Sequence, residues 1–157
     1  MEESSKGSVS LDFANLQDKT RNGKPYQHLH GLVKFEIDSR RVPYMGYWSE
    51  NDVCFNQWIV IFVSLLKAVQ EKQPAYLFDE CERGQPAFLF EVKPPSQILL
   101  SIIASECGEG FHDPDWQKVA FGYTDFKRAF VHFKERFLQH IAKIAPHQAD
   151  YWTAQFD

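Results

Sequence analysis

Residues 53–70 read VCFNQWIVIFVSLLKAVQ, and this stretch decides the fold. Its apolar residues recur at helical spacing and leave a thin polar stripe, which predicts a mostly buried central helix. The predicted apolar face consists of Phe55, Trp58, Ile59, Phe62, Leu65, Leu66 and Val69. Ser49 and Asp52 have the spacing of a capping box, so we expect them to cap this helix. The uncharged run of residues 53–66 is shorter than the roughly 18 to 20 residues that a membrane span requires.

Length and charge bound the class of protein. The chain of 157 residues fits a single domain, residues 1–157, because a chain of this size buries roughly 68 to 70% of its unfolded surface. Acidic residues outnumber Lys and Arg by 21 to 17, and the formal net charge of -4 favours a basic partner over nucleic acid. The first ten residues lack the apolar core of a secretory leader, so we expect a cytoplasmic protein without a membrane partner.

Cysteine usage points the same way. Cys54, Cys81 and Cys107 are odd in number and widely separated, which favours reduced thiols over a disulfide framework. Cys107 and His112 lie in one glycine-containing loop, so a Cys/His hydrolase is one alternative. None of the sequence signatures of cysteine enzymes accompanies this pair, and we therefore expect no catalytic residues.

Alternation of apolar and polar residues predicts several strands. The pattern has a period of two around Val9 to Phe13 and again from Val33 to Ile37. Pro43 marks residues 42–48 as an edge or irregular strand, because proline cannot donate to a ladder. Further strands are predicted where short apolar runs alternate with turn residues. These are residues 76–78 and 87–92, which form a hairpin, residues 98–103 as a central strand, and residues 118–123.

A second long helix follows the last predicted strand. Thr124 is its expected N-cap, and Pro146 ends it. The predicted apolar face consists of Phe126, Phe130, Phe133, Phe137, Ile141 and Ile144. A short terminal helix over residues 148–156 is expected to dock Tyr151, Trp152 and Phe156. The short connections between strands predict an α+β fold, with an antiparallel meander sheet packed against two principal helices.

Two other site types were weighed and set aside. His28 and His30 would share a face of an extended segment, but no third ligand has a recognisable spacing, so we expect no metal and no cofactor. The cluster His112, Asp113 and Asp115 has no specific spacing either. The polar face of the last long helix is basic, through Lys127, Arg128, Lys134, Arg136, His140 and Lys143. Because the whole molecule is acidic, we interpret that face as solvated and expect no nucleic-acid binding.

The remaining feature is a set of acidic loops. The acidic residues near the first hairpin turn are Asp79, Glu80 and Glu82, and those after the central strand are Glu106, Glu109, Asp113 and Asp115. Beside exposable aromatic residues such as Phe111 and Trp116, such carboxylates would suit a basic protein partner, with Trp116 as the anchor. Solvated acidic loops without a partner remain an equal alternative.

The order of several segments resembles a known class of proteins. These segments are residues 55–58 at the start of the buried helix, 76–80, 84–90, 108–110 with 115–116, and the Phe-rich final helix. Their succession, which spans roughly residues 33–145, resembles small bacterial immunity proteins of polymorphic-toxin and contact-dependent growth inhibition systems.

The resemblance implies a cytoplasmic, non-enzymatic protein that binds one cognate toxin and neutralises it by covering its active site. Many such toxins are nucleases with basic sites, and an acidic rim would then take the place of phosphate. The alternative is a small cytosolic regulatory or ligand-binding module.

Overall fold

The computed structural model describes residues 7–81, 84–107 and 111–157, which contain eight strands and three α-helices in an α+β arrangement. The predicted α+β class is confirmed, and the strands expected in one meander sheet are divided between two sheets. The strands are β1 (Val9–Asp18), β2 (Leu29–Ile37), β3 (Arg40–Arg41), β4 (Val53–Cys54), β5 (Ala75–Phe78), β6 (Ala87–Lys93), β7 (Gln97–Ile103) and β8 (Val119–Gly122). The helices are α1 (Phe55–Gln70), α2 (Tyr123–Ile144) and α3 (Ala149–Gln155), with a 3-10 turn at Pro146–Gln148 before α3.

The strands divide into two antiparallel sheets of four strands each. In the first sheet, β2 is the central strand and pairs with β1, β3 and β4. Val9 of β1 lies opposite Ile37, and the pairing becomes irregular between Ala14 and Gln17. This irregularity explains why β1 is longer than predicted, because the period of two is broken after Phe13 while the pairing continues.

The second sheet is a meander in the order β5-β6-β7-β8. The predicted hairpin is present, with Phe78 opposite Phe88, and β7 lies between β6 and β8 as a central strand should. Residues 42–48 form no strand; the N–H of Val42 donates to the carbonyl of Phe35 at 2.9 Å, and Gly46 forms an isolated bridge with Val53.

The central helix begins later than predicted. Val53 and Cys54 pair with β2, so α1 starts at Phe55, and its N-cap Cys54 provides no side-chain cap. The predicted capping box of Ser49 and Asp52 is therefore wrong, because the extended residues of β4 separate it from the free N–H groups of the helix. Burial of the helix is as expected, and Trp58 is 2% exposed.

The second helix begins at Tyr123, so Thr124 lies inside it, and Gly122 is the N-cap. Five of the six residues predicted for its apolar face are buried, and Ile144 is exposed. Its phenylalanines join both sheets to α1. The ring centroid of Phe126 in α2 lies within 6.1 Å of those of Phe35 in β2, Phe62 in α1 and Phe121 in β8. The Phe35 ring is also 5.5 Å from Phe62 and 6.0 Å from Phe121.

The terminal helix docks as predicted. Trp152 is fully buried, its indole N–H donates to the carbonyl oxygen of Tyr26 at 2.7 Å, and its ring meets Phe137 at 5.2 Å. No helix in the described ranges is long and apolar enough to cross a membrane.

The expectation of three reduced thiols is wrong in this structure. Cys81 and Cys107 form a disulfide with a Cα–Cα distance of 5.5 Å, while Cys54 is a buried free thiol. Antiparallel pairing with β6 places the C-terminal ends of β5 and β7 on either side of the first residues of β6. The two cysteines that follow these ends therefore meet, although 26 positions separate them in the sequence.

Candidate functional site

The acidic loops after β5 and β7 lie side by side, held together by Asp79. Its carboxylate accepts hydrogen bonds from the hydroxyl of Ser105 at 2.7 Å, the backbone N–H of Glu106 at 2.8 Å and that of Cys81 at 3.1 Å. The hydrogen bond from the N–H of Glu106 is the main cause that lowers the pKa of Asp79, and the bonds from Ser105 and Cys81 also lower it. Asp79 is thus occupied in joining the two loops.

The other predicted acidic residues of these loops have different surroundings. The carboxylate of Glu80 accepts from the hydroxyl of Tyr47 and the amide of Gln57, both at 2.9 Å. Glu106 is exposed and points its charge to solvent. Glu82 and Glu109 lie outside the described residues.

Asp113 and Trp116 are parts of the packed structure. Asp113 is 8% exposed and accepts from the hydroxyl of Tyr44 at 3.1 Å and from the N–H of Asp115 at 2.9 Å. Trp116 is 5% exposed, with the guanidinium of Arg40 4.4 Å from its ring centroid. The prediction of Trp116 as an exposed anchor is wrong, because its carbonyl accepts from the N–H of Ile102 and fixes the residue beside β7. Asp115 is exposed.

A different tryptophan is the exposed one. Trp48 is 93% exposed, and it lines a groove of about 550 Å³ together with Tyr44 and Phe111, which are 36% and 46% exposed. Glu50 lies on the same groove. Such a cluster of exposed aromatic rings beside carboxylates is what the sequence predicted for the acidic loops, but its centre is the segment before β4.

A short loop displays Trp48. Gly46 bridges to Val53, the N–H of Tyr47 donates to the carbonyl of Asp52 at 3.3 Å, and the N–H of Asp52 donates to the carbonyl of Ser49 at 3.0 Å. Gly46 must be glycine here, because a Cβ atom would lie 1.9 Å from the oxygen of Ser49. The loop therefore closes tightly and leaves the indole in solvent.

Tyr44 is held in an unusual backbone conformation. Its φ of 66° lies in the left-handed region, which is rare for a bulky side chain. Its ring meets Phe111 at 4.9 Å in an edge-on arrangement, and its hydroxyl donates to Asp113. Partial burial, together with that bond to Asp113, raises the pKa of Tyr44. A strained residue beside exposed aromatics is a common property of binding sites.

A second cluster lies on the other side of Trp48, where a cleft is lined by Trp48, His28 and His30 among others. The Nε2 atom of His28 is 3.0 Å from Nε2 of His30 and 3.6 Å from Sγ of Cys54. The Nδ1 atom of His30 is 2.5 Å from Oδ1 of Asp52. Partial desolvation by the surrounding protein is the main cause that lowers the pKa of His28. Burial is the main cause that raises the pKa of the Cys54 thiol.

Sequence reasoning missed Trp48 and Cys54 for the same reason. Trp48 is the last residue of the segment 42–48, which was expected to be an edge or irregular strand, and nothing local distinguishes it from the buried Trp58 or Trp116. Pro43 and Gly46 were the available signal, since both interrupt a strand. Cys54 joins the histidines through pairing of β4 with β2, which periodicity does not reveal.

The hydrolase alternative requires the reduced form of Cys107, which is disulfide-bonded in this structure. Cys107 is bonded to Cys81, so it has no thiol to attack a substrate while the disulfide is intact. His112 is exposed.

Comparison of the chain with protein-family models, curated proteins and solved structures gave no significant match.

Proposed function

We propose that the protein is an immunity protein, which binds a cognate bacterial toxin and neutralises it by covering the active site. Its partner is a basic protein domain, and a nuclease domain is the class of toxin that suits the charge best. The observation that carries the proposal is the exposed groove of Tyr44, Trp48 and Phe111 beside Glu50.

The exposure of Trp48 supports a protein partner. An indole ring that is 93% exposed offers a large apolar surface that remains in water unless another molecule covers it. Tryptophan is enriched among the few residues that dominate protein–protein binding, and these residues sit near the centre of an interface. Tyr44 and Phe111 extend the apolar surface on one side of Trp48.

The charges around the groove support a basic partner. Glu50 and Arg41 both line the groove and form an ion pair at 3.3 Å, so the excess negative charge comes from Glu80 and Asp113, which bind the hydroxyls of Tyr47 and Tyr44 at its wall. The formal net charge of -4 adds a long-range attraction for a basic domain. Charge of this kind speeds encounter and excludes acidic competitors more than it tightens the final complex.

The cytoplasm, where the toxin would otherwise act, remains the proposed compartment. Cytosolic reductants keep most thiols reduced, so we expect Cys81 and Cys107 to be thiols there. The loops that carry them stay together in that state, because Asp79 binds both Ser105 and Glu106 independently of the disulfide. The disulfide then forms when the protein meets oxidising conditions.

Affinity purification tests the proposal. Tagged wild-type protein and the variant Trp48→Ala are recovered from the source cells, and co-purifying proteins are identified by mass spectrometry. Val131→Ala is the matched control, since Val131 is also an exposed apolar residue but lies on α2, away from the groove.

We expect the wild type and Val131→Ala to recover one protein with a basic toxin domain, whose gene lies directly upstream. Trp48→Ala should recover at least tenfold less of it, since truncating a central aromatic costs about 2 kcal/mol or more of binding free energy. Recovery of nucleic acid or a small ligand alone would overturn the proposal and favour the regulatory or ligand-binding alternative. Recovery of the partner by Trp48→Ala at the wild-type level would show that the groove is not the binding surface.

A further inference from the structure

Three side chains that can bind a transition metal converge beside the Trp48 loop. One ligand atom from each of His28, His30 and Cys54 lies within 4.8 Å of the others, the only such group of three in the described part of the chain. Zinc bound at about 2.0 to 2.1 Å by nitrogen and 2.3 Å by sulfur, in a tetrahedron, places two nitrogens about 3.4 Å apart and nitrogen and sulfur about 3.6 Å apart. The corresponding distances from Nε2 of His28 are 3.0 Å and 3.6 Å, and the third separation, between the ligand atoms of His30 and Cys54, is within 4.8 Å.

We propose that His28, His30 and Cys54 form a zinc site, with Nε2, Nε2 and Sγ as ligands and with the fourth position open to the cleft. This proposal is independent of the proposed toxin partner, because it rests on a different cluster. The expectation of no metal was based on the lack of a third ligand, and Cys54 is that ligand.

The backbone positions all three residues before any ion arrives. His30 lies directly opposite Cys54 in the pairing of β2 with β4. His28 lies in the bend just before β2, and its ring centroid is 4.8 Å from that of His30. The side chain of Asn56 fixes the chain on both sides of His28, accepting from the N–H of Leu29 at 3.1 Å and donating to the carbonyl of Gln27 at 2.7 Å.

Asp52 prepares His30 for metal binding. A carboxylate can only accept, so Nδ1 of His30 carries the proton in their 2.5 Å contact. The lone pair of His30 is therefore on Nε2, the atom that faces His28 and the metal position. A carboxylate on the outer nitrogen of a histidine ligand is the usual arrangement in zinc sites, where it orients the ring and makes the ligand more basic.

The donor set selects the class of ion. Two imidazoles with one thiolate suit zinc and its substitute cobalt, whereas magnesium and calcium require oxygen ligands. Three protein ligands leave one position for water or an anionic group. The cleft in front of the site is lined by Lys19 and Arg21, whose charges favour an anion in that position.

Cobalt titration of the full-length protein, stripped with a chelator, tests the site. We expect one Co²⁺ per chain, with an ultraviolet thiolate-to-cobalt charge-transfer band and intense visible bands of four-coordinate geometry. Equimolar Zn²⁺ should abolish both bands. Zinc should also raise Tm, because an ion that binds only the folded state stabilises it by mass action.

Four variants distinguish the site from incidental binding. Cys54→Ser should remove the charge-transfer band, and His28→Gln should weaken zinc binding by at least tenfold. Asp52→Asn, which touches no metal, should weaken it by about 10- to 100-fold. His132→Gln is the control, since His132 is exposed on α2, and it should bind as the wild type does.

If Cys54→Ser folds poorly, zinc binding by His28→Gln still tests the site, because His28 is exposed and its replacement leaves the core intact. Absence of the charge-transfer band in the wild type would overturn the proposal. So would a band that survives in Cys54→Ser, or zinc binding that is equal in His28→Gln and His132→Gln. The three residues would then be a hydrogen-bonded cluster without a metal.

Discussion

The indole N–H of Trp58 donates to the carbonyl oxygen of Met45 across 3.2 Å. Trp58 belongs to the buried face of α1, and Met45 lies between Tyr44 and Gly46 in the segment that forms the groove. The bond ties the most buried helix to the segment that displays Trp48. Core packing and the candidate binding surface are therefore coupled through one side chain.

Replacement of Trp58 should cost far more stability than replacement of Trp48. We expect Trp58→Ala to lower the free energy of unfolding by about 3 to 5 kcal/mol, the usual cost of truncating a buried aromatic ring. Trp48→Ala should change it by no more than about 0.5 kcal/mol, since the ring is almost fully exposed. Urea unfolding of both variants measures the difference, and equal midpoints would contradict the assignment of the two tryptophans.

Loss of the disulfide should destabilise the protein without changing its fold. Joining Cys81 to Cys107 across 26 positions lowers the entropy of the unfolded chain, which corresponds to about 3.5 kcal/mol. Cys81→Ser/Cys107→Ser should lose up to this amount in urea unfolding without reductant. Reductant should lower the stability of the wild type alone, and an identical response from the variant would be evidence against the disulfide.

Asp79 should give a pH-dependent contribution to stability. Its pKa in the folded protein is lower than the roughly 3.9 of an unfolded chain, so its contribution is complete above that value and is lost as pH falls through the folded pKa. We expect Asp79→Asn to cost about 1 kcal/mol at pH 7 and less in acid. Urea unfolding at pH 7 and pH 3 measures this, with exposed Asp115→Asn as the control. A difference that grows in acid would contradict the sign.

Charge reversal on the loop after β7 should slow association with the proposed toxin partner. Glu106→Lys/Asp115→Lys changes two exposed carboxylates of that loop, and we expect a lower association rate that depends less on salt. Asp113 is left out because its two hydrogen bonds hold Tyr44 and Asp115. Glu71→Lys/Glu135→Lys makes the same change in net charge at the C-cap of α1 and on α2, and it separates local from global attraction. Association rates of both double variants are measured by stopped flow at two salt concentrations. Equal effects of the two variants would show that only the net charge, and not these two positions, affects association.

Local periodicity predicted much of the fold from the sequence. The alternation around Val33 and the phenylalanine spacing from Phe126 to Phe137 each depend on neighbours a few residues apart, so the pattern itself carries the information. The hairpin of β5 and β6 was predictable for the same reason, since one short loop joins its strands. These elements lie where they were expected.

The candidate sites depend on contacts between distant residues, which periodicity cannot report. The pairing of His30 with Cys54 and the bond from Cys81 to Cys107 each join positions more than 20 residues apart. Trp116 was expected at the surface and is buried, while Trp48 had no expected role and is exposed, because an aromatic residue suits a core and an interface equally well. The strand pairing that buries one and exposes the other was the missing information.

The bridge between Gly46 and Val53 has a consequence for how specificity could diversify. It fixes both ends of the Trp48 loop to the framework, while the six residues between them are mostly outside the core. Substitutions or grafted sequences at the loop tip can therefore alter which partner is recognised while the scaffold keeps its shape. In the proposed immunity role, exchange of this one short loop would let related proteins follow a changing toxin.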